Sequence, residues 1–404
     1  MADVHGMVAR GFEAVREAFA AGQSEDRGGA QLCVYRRGEV VVDLWTGEDV
    51  VNSRPYTADT VTVLMSCTKA VVAMCAHLLA QRGLLELEAP VARYWPEFAA
   101  NEKGDVRVAQ LLDHSVGLMG FDPDAPTLDA NDMLDFGKCA RALAAMRPLW
   151  SPGSAYMYHF ITYGYLVGEV LRRVSGQTVG EFVAREFAAP LGLDLWIGMP
   201  EEFEARVAPH FRSNVAMQEE GLRNLFAAGG IDVNDRLVRA AIGAMVTTEG
   251  LIELMTMRAG RAAEVPAGNG IGNARSLAKL YAAAIGEVDG VHFLTPETLR
   301  AACVPRTDGL KGPPPFDVLR GSPQRFGLGF ELPRDICPML GDGSFGHPGA
   351  GGRLAFAHPG LGVAAAYVCN NLLWDGFTPD PRWRWNDVLR QVVGVRRKNG
   401  FAGK

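Results

Sequence analysis

A chain of 404 residues, 48% of them apolar, can bury a large core and is long enough for two domains or for one domain carrying a large insertion. Its formal charge of -6 is mild and no Lys/Arg cluster is interleaved with aromatic residues, which sets nucleic acid aside as a partner. The seven cysteines are odd in number and include no CxxC pair, a usage that fits a reducing cytoplasm.

In chain order, the opening "MADVHGMVARGFEAVREAFAAGQ" places Val4, Met7, Val8, Phe12, Val15 and Phe19 at helical spacing. It has no basic segment leading into an uninterrupted apolar run, so a folded helix is expected rather than a signal peptide. No apolar run reaches the ~18 residues needed to span a bilayer, and no membrane association is expected. "GGAQLCVYRRGEVVVDLWTGE" reads as an antiparallel hairpin turning at Arg37-Gly38. "VTVLMSCTKAVVAMCAHLLAQRG" then reads as a buried helix.

From there the pattern is mostly helical, through "DANDMLDFGKCARALAAM", "ITYGYLVGEVLRRVSG", "TVGEFVAREFAAPLG" and "LVRAAIGAMVTTEGLIELM". The Gly/Pro/Asn-rich "AAEVPAGNGIGNA" marks a return to sheet. "FGLGFEL", "SFGHPGAGGRLAFAHP" and "GVAAAYVCNN" supply three more strand-like runs, and a closing helix is expected around Trp385 to Val393. The expected organisation is an α/β (α+β) domain with an antiparallel sheet flanked by helices, built from residues 1–105 and 266–404. A mostly helical domain, residues 106–265, is inserted, and the active site is expected where the two meet.

Lys69 interrupts an otherwise apolar helix, and a lysine is rarely buried without a partner or a task. A helix starting near Ser66 puts Ser66 and Lys69 at i and i+3, so a hydroxyl and an amine share one face. A desolvated lysine has its pKa lowered and can serve as the base that a serine nucleophile needs. The alternative is structural, because serine at a helix start is commonly a cap. The same spacing recurs at Ser276 and Lys279, where Asn273 is a good cap and no partner residue is near in sequence; that copy is expected to be structural. Cys67 is read as a small apolar filler.

With "WSPGSAYMYH", "LLDHSVGL" and "GHPGAGG" in the same order along the chain, the sequence resembles the serine β-lactamase and penicillin-binding protein superfamily. Within it the chain looks most like the class C-like esterases known as family VIII carboxylesterases. The resemblance covers nearly the whole chain. It implies the β-lactamase-like fold, with Ser66 as acylated nucleophile, Lys69 as the activating amine and Tyr158 as a proton shuttle whose phenolate the lysine stabilises. Tyr156 is the rival and is expected to pack. The resemblance also implies an oxyanion hole from the backbone N–H groups of Ser66 and Ala350, with His347 and Gly349 along one wall of the cleft. His347 is open to three readings: a polar wall residue, a participant in proton transfer, or a packed turn residue.

Two positions depart from the β-lactamase pattern. Phe160 stands where an asparagine would hold a substrate amide, and His347 stands where a lysine would attract a carboxylate. A histidine with a reference pKa near ~6.5 is mostly neutral at pH 7, so both changes favour an uncharged, apolar acyl group. Trp150 and Trp374 are the tryptophans expected to line that pocket. His114 is expected to fix a loop, and His159 and His358 have no neighbours at ligand spacing, so no metal and no cofactor are expected. The expected activity is hydrolysis of carboxylic esters by a serine hydrolase, with a small-molecule ester or acyl donor as the partner. Acyl transfer to a small-molecule alcohol, β-lactam or D-amino-acid amide hydrolysis, and an acyl-binding sensor with slow deacylation are the alternatives. The oligomeric state is not indicated.

Overall fold

Strand-forming stretches from the two ends of the chain meet in one eight-stranded sheet. Its members are β1 (Val4–Val8), β2 (Ala30–Arg36), β3 (Glu39–Thr46), β4 (Arg325–Phe326), β5 (Glu331–Leu332), β6 (Phe345–Gly349), β7 (Arg353–His358) and β8 (Val363–Cys369). The order is β1-β3-β2-β8-β7-β6-β5-β4, and every neighbouring pair is antiparallel. The computed structural model describes residues 2–213, 216, 218–318, 324–373 and 378–395.

Strand alternation divides the core into two layers. Along β8, Ala364, Ala366 and Val368 face one side, while Val363, Ala365, Tyr367 and Cys369 face the other. The second side is covered by helices α1 (Glu13–Gly22) and α7 (Arg384–Val392), which bring Val15, Phe19, Trp385 and Leu389 against Leu32, Val34 and Phe356. The first side carries α2 (Cys67–Gln81) and α6 (Ala274–Ile285). The small side chains of Ala355, Ala357, Ala364 and Ala366 on this side leave room for closely packed helices. Between α2 and α6 in sequence come α3 (Phe136–Ala145), α4 (Thr162–Ser175) and α5 (Arg236–Leu254), with α4 packed against both α2 and α3.

The helix ends follow from side-chain chemistry. Asp135, Asp235 and Asn273 cap α3, α5 and α6 by accepting from backbone N–H groups in the first turn, and Gly176 ends α4 in the left-handed conformation. Ser276 therefore sits in the first turn of α6, where its hydroxyl accepts from the Asp194 N–H at 2.9 Å. Lys279 donates to the Leu191 carbonyl at 2.6 Å and pairs with Asp289. The second Ser-x-x-Lys copy is part of the framework.

Two sequence expectations need correction. The first segment is not one helix: β1 pairs with β3 along Val4–Val8, and α1 starts only at Glu13. Gly6 and Gly11 both have positive φ, and a Cβ at Gly6 would lie 2.0 Å from the Asp43 carbonyl oxygen, so the close edge pairing needs glycine there. The three C-terminal strand-like runs contribute five strands to this sheet, because "FGLGFEL" folds back at Gly329 and "SFGHPGAGGRLAFAHP" turns at Ala350–Gly352. No helix among the described residues is long and apolar enough to cross a membrane.

Candidate active site

The segment leading to Ser66 is held in an unusual conformation. Leu64 donates to the Gly270 carbonyl at 2.8 Å, and Met65, just before the serine, has φ +50°, a left-handed value that costs a non-glycine residue roughly 1–3 kcal/mol. The Thr68 hydroxyl donates to the Met65 carbonyl at 2.6 Å and accepts from the Gly270 N–H at 3.0 Å, which fixes this bend. Ser66 occupies the N-cap of α2 without using its side chain as a cap, so its hydroxyl is free for other work.

Lys69, one turn on, is 0% exposed. Its Nζ lies 3.1 Å from Ser66 Oγ and donates to the Ala267 carbonyl at 2.8 Å. Burial pushes its pKa well below the ordinary lysine value, and no carboxylate salt-bridges it among the described residues. Burial thus favours the unprotonated amine, the form whose lone pair can take a proton from Ser66. Lys103 is equally buried, but it donates to the carbonyls of Ala100, Ala144 and Met146 and meets no nucleophile.

Tyr158 completes the group. Its ring lies 4.9 Å from Lys69 Nζ, and Ser66 is near enough to its hydroxyl to act on its ionisation. Phe326 stacks on the ring at 6.0 Å, Phe160 meets it edge-on at 5.1 Å, and His114 and His347 lie 5.1 and 5.8 Å away. The residue is half-buried, yet its hydroxyl end lies deep in this aromatic surround. Burial raises its pKa well above that of a free phenol, with Ser66 opposing. Burial opposes charge on both groups, the amine and the phenol alike. Tyr156, the rival, turns away and donates to the Gln324 carbonyl at 2.7 Å.

His347 and Gly349 lie on β6 beside α2. The His347 carbonyl accepts from Cys67 Sγ–H at 3.2 Å, and a Cβ on Gly349 would come within 2.7 Å of the Leu64 carbonyl oxygen. The His347 ring is buried and donates from Nδ1 to the Pro348 carbonyl, leaving Nε2 without a protein partner among the described residues. Burial, aided by Lys69, depresses its pKa to about 3, so the ring carries no charge at neutral pH. Ala350 is exposed at the end of β6, and neither its N–H nor that of Ser66 is taken by another group among the described residues.

Trp150 stands one layer back. Its indole N–H donates to the Ala155 carbonyl at 3.0 Å, its ring meets His159 edge-on at 6.1 Å, and it packs with Leu149, Met157 and Phe160 against residues of α5. Trp374 lies outside the described residues. Cys67 is a buried filler, its thiol pushed up to about 12 by burial. His114 both fixes its loop, accepting from the His159 N–H at 3.2 Å, and packs on the Tyr158 ring. Sequence reasoning missed the Ala267 carbonyl and Phe326. A backbone acceptor has no side-chain signature, and Phe326 was one apolar residue among many in a strand-like run.

The chain is similar to known proteins over nearly its whole length. The family model described as Beta-lactamase matches residues 14–389. "Esterase/beta-lactamase LipL" of Mycobacterium tuberculosis is 34% identical over 96% of this chain and 89% of its own length. A crystal structure of a family VIII carboxylesterase superposes with a TM-score of 0.81 at 32% identity, covering 96% of this chain and 100% of that one. A penicillin-binding protein homologue from Caulobacter crescentus gives 0.79 at 34% identity with 96% and 100% coverage. Fold, family match and full-length relatives agree, and the chain belongs to the beta-lactamase family of serine hydrolases.

Proposed function

We propose that the protein hydrolyses carboxylic esters of short or apolar acyl groups through an acyl-Ser66 intermediate. The observation that carries this reading is the 3.1 Å approach of Ser66 Oγ to a fully buried Lys69 amine. Ser66 Oγ attacks the ester carbonyl as its proton passes to Lys69 Nζ. The resulting ammonium lies over the Tyr158 ring, where a cation is favoured. The Ser66 and Ala350 N–H groups receive the oxyanion, meeting charge only as it develops. When the ester C–O bond breaks, the leaving oxygen takes the Tyr158 proton while Tyr158 takes one from Lys69. Water then attacks the acyl carbon, giving its proton to the amine, and the Ser66 C–O bond breaks with that proton returning to Oγ.

In this reading the cleft lies between the sheet unit, residues 1–105 and 266–404, and the helical unit, residues 106–265, which supplies Tyr158 and Phe160. The esterase names of LipL and of the carboxylesterase support ester substrates. Phe160 and the neutral His347 support an uncharged acyl group, because a carboxylate brought beside them would lose its hydration without gaining a cation. p-Nitrophenyl acetate and butyrate are expected to be turned over at least about 10-fold faster in kcat/KM than p-nitrophenyl hemisuccinate, one pKa unit or tenfold being ~1.4 kcal/mol of unfavourable desolvation. Nitrocefin is expected to be a poor substrate. Preference for the hemisuccinate, or nitrocefin turnover faster than that of the esters, would refute the assignment.

The Ala267 carbonyl supplies a second test. A Cβ on Gly164 of α4 would lie 2.5 Å from the Ala267 nitrogen and 2.7 Å from the Pro266 carbonyl carbon. Gly164→Ala must push this segment, and with it the acceptor that orients Lys69. Overpacking of this kind costs about 1–3 kcal/mol, read as a lowered urea midpoint. A misplacement near 1 Å can cost ~10²-fold in rate, so kcat is expected to fall more than stability alone explains. Unchanged kcat in the folded variant would remove Ala267 from the machinery.

A further inference from the structure

Arg353 opens β7 directly after the Ala350–Gly352 turn and is 0% exposed. No carboxylate pairs with it among the described residues. Its guanidinium donates from Nε to the Val63 carbonyl at 3.2 Å and from Nη1 to the Ala350 carbonyl at 2.9 Å, while Nη2 has no protein partner among the described residues. The two acceptors belong to different parts of the chain. Val63 lies three residues before Ser66 and pairs with Ile271, and Ala350 follows Gly349, whose added Cβ would lie 3.2 Å from Met65 Cβ.

We propose that Arg353 is a positioning residue that holds the Ser66 and Ala350 amides at the separation an oxyanion requires. The inference rests on the acyl-Ser66 reading and extends it to a residue that touches neither substrate nor nucleophile. A lone buried cation is costly, and an apolar side chain would fill this space at less expense if packing were its whole role. The planar, fixed fork of a guanidinium suits the task, since two donors at a set angle reach two carbonyls at once; a lysine offers a point charge on a flexible stem. The turn is built around the group: Gly351 has φ +78°, and a Cβ there would lie 2.5 Å from Arg353 Nη1. A positive charge behind the turn also favours negative charge developing in front of it.

The test compares wild type with Arg353→Met, Arg353→Gln and Arg353→Lys, using p-nitrophenyl butyrate and butylboronic acid, whose adduct with a serine is tetrahedral. Loss of one fixed oxyanion donor costs about 10²–10³ in rate, and loosening two without removing either is expected to lower kcat by about 10- to 100-fold. KM should stay within about threefold, the boronate Ki should rise in parallel with the fall in kcat/KM, and the lysine variant should recover part of the loss. If Arg353→Met does not fold, the glutamine and lysine variants carry the same readout. Wild-type kcat and boronate Ki in a folded variant, or a loss confined to KM, would overturn the proposal while Ser66-dependent turnover persists. Wild-type turnover that survives Ser66→Ala would overturn the acyl-Ser66 reading and this inference together.

Discussion

Ser66→Ala is expected to lose ester turnover by about 10⁵-fold or more, the scale seen when a serine nucleophile is removed from an intact site, while Ser276→Ala keeps wild-type rates. Both serines begin a helix and both precede a lysine by three residues, so the pair of variants asks whether spacing or environment makes the nucleophile. Ser66 follows a strained residue, leaves its hydroxyl uncommitted to the cap and faces a dehydrated amine. Ser276 is occupied by the Asp194 amide, and Lys279 is held by a carbonyl and an aspartate. Steady-state kinetics and mass spectrometry of the acylated protein check both, and an acyl group on Ser276 would invert the assignment.

Lys69→Met is expected to separate activity from stability. The variant keeps the length of the side chain and loses the base, and kcat should fall by ~10²–10⁴, the usual contribution of a positioned general base. In wild type, kcat/KM should rise with pH through a pKa well below the ~10.4 of a free lysine, because the active form is the unprotonated amine. The stability of the variant at neutral pH should change in the opposite sense to its activity. Between the folded and unfolded pKa values the unfolded chain binds the extra proton, so burying this lysine costs stability that is regained as pH rises, by about 1.4 kcal/mol for each pH unit in that window. Lys69→Met lacks this cost and should be the more stable protein at pH 7. The gap should narrow by pH 9 in urea unfolding. A variant less stable than wild type at pH 7 would show that the amine is charged in the folded site.

Much of this site was legible because its chemistry is carried by side chains at short, regular spacings. Ser66 and Lys69 lie on one helical turn, and an ionisable group inside an apolar helix announces itself. Burial alone was not decisive: Lys103, in a loop with no apolar run around it, is as deeply enclosed and only ties down carbonyls. Tyr158, His347 and Ala350 were reached through resemblance, since no local rule joins residues so far apart. The aromatic enclosure of Tyr158 left no sequence signature, because its neighbours come from four segments. The N-terminal strand was misread because Val4, Met7 and Val8 satisfy helical spacing, while edge pairing to β3 at Gly6 is a tertiary fact. Arg353 gave no local signal, as its acceptors are a turn and a strand from opposite parts of the chain.

The sheet order has a consequence for how the molecule comes into being. β2 bonds directly to β8 at the far end of the chain, and Cys67, next to the nucleophile, reaches His347 across 280 residues of sequence. At about 5–20 residues per second, a ribosome that has released α2 works for tens of seconds before β6 emerges. During that interval the apolar helix bearing Ser66 lacks β6 and β7, the strands it packs on. Such long-range pairings also slow folding once synthesis ends, so aggregation competes most strongly in the newborn chain, and chaperone supply should govern yield more than the sequence of any loop.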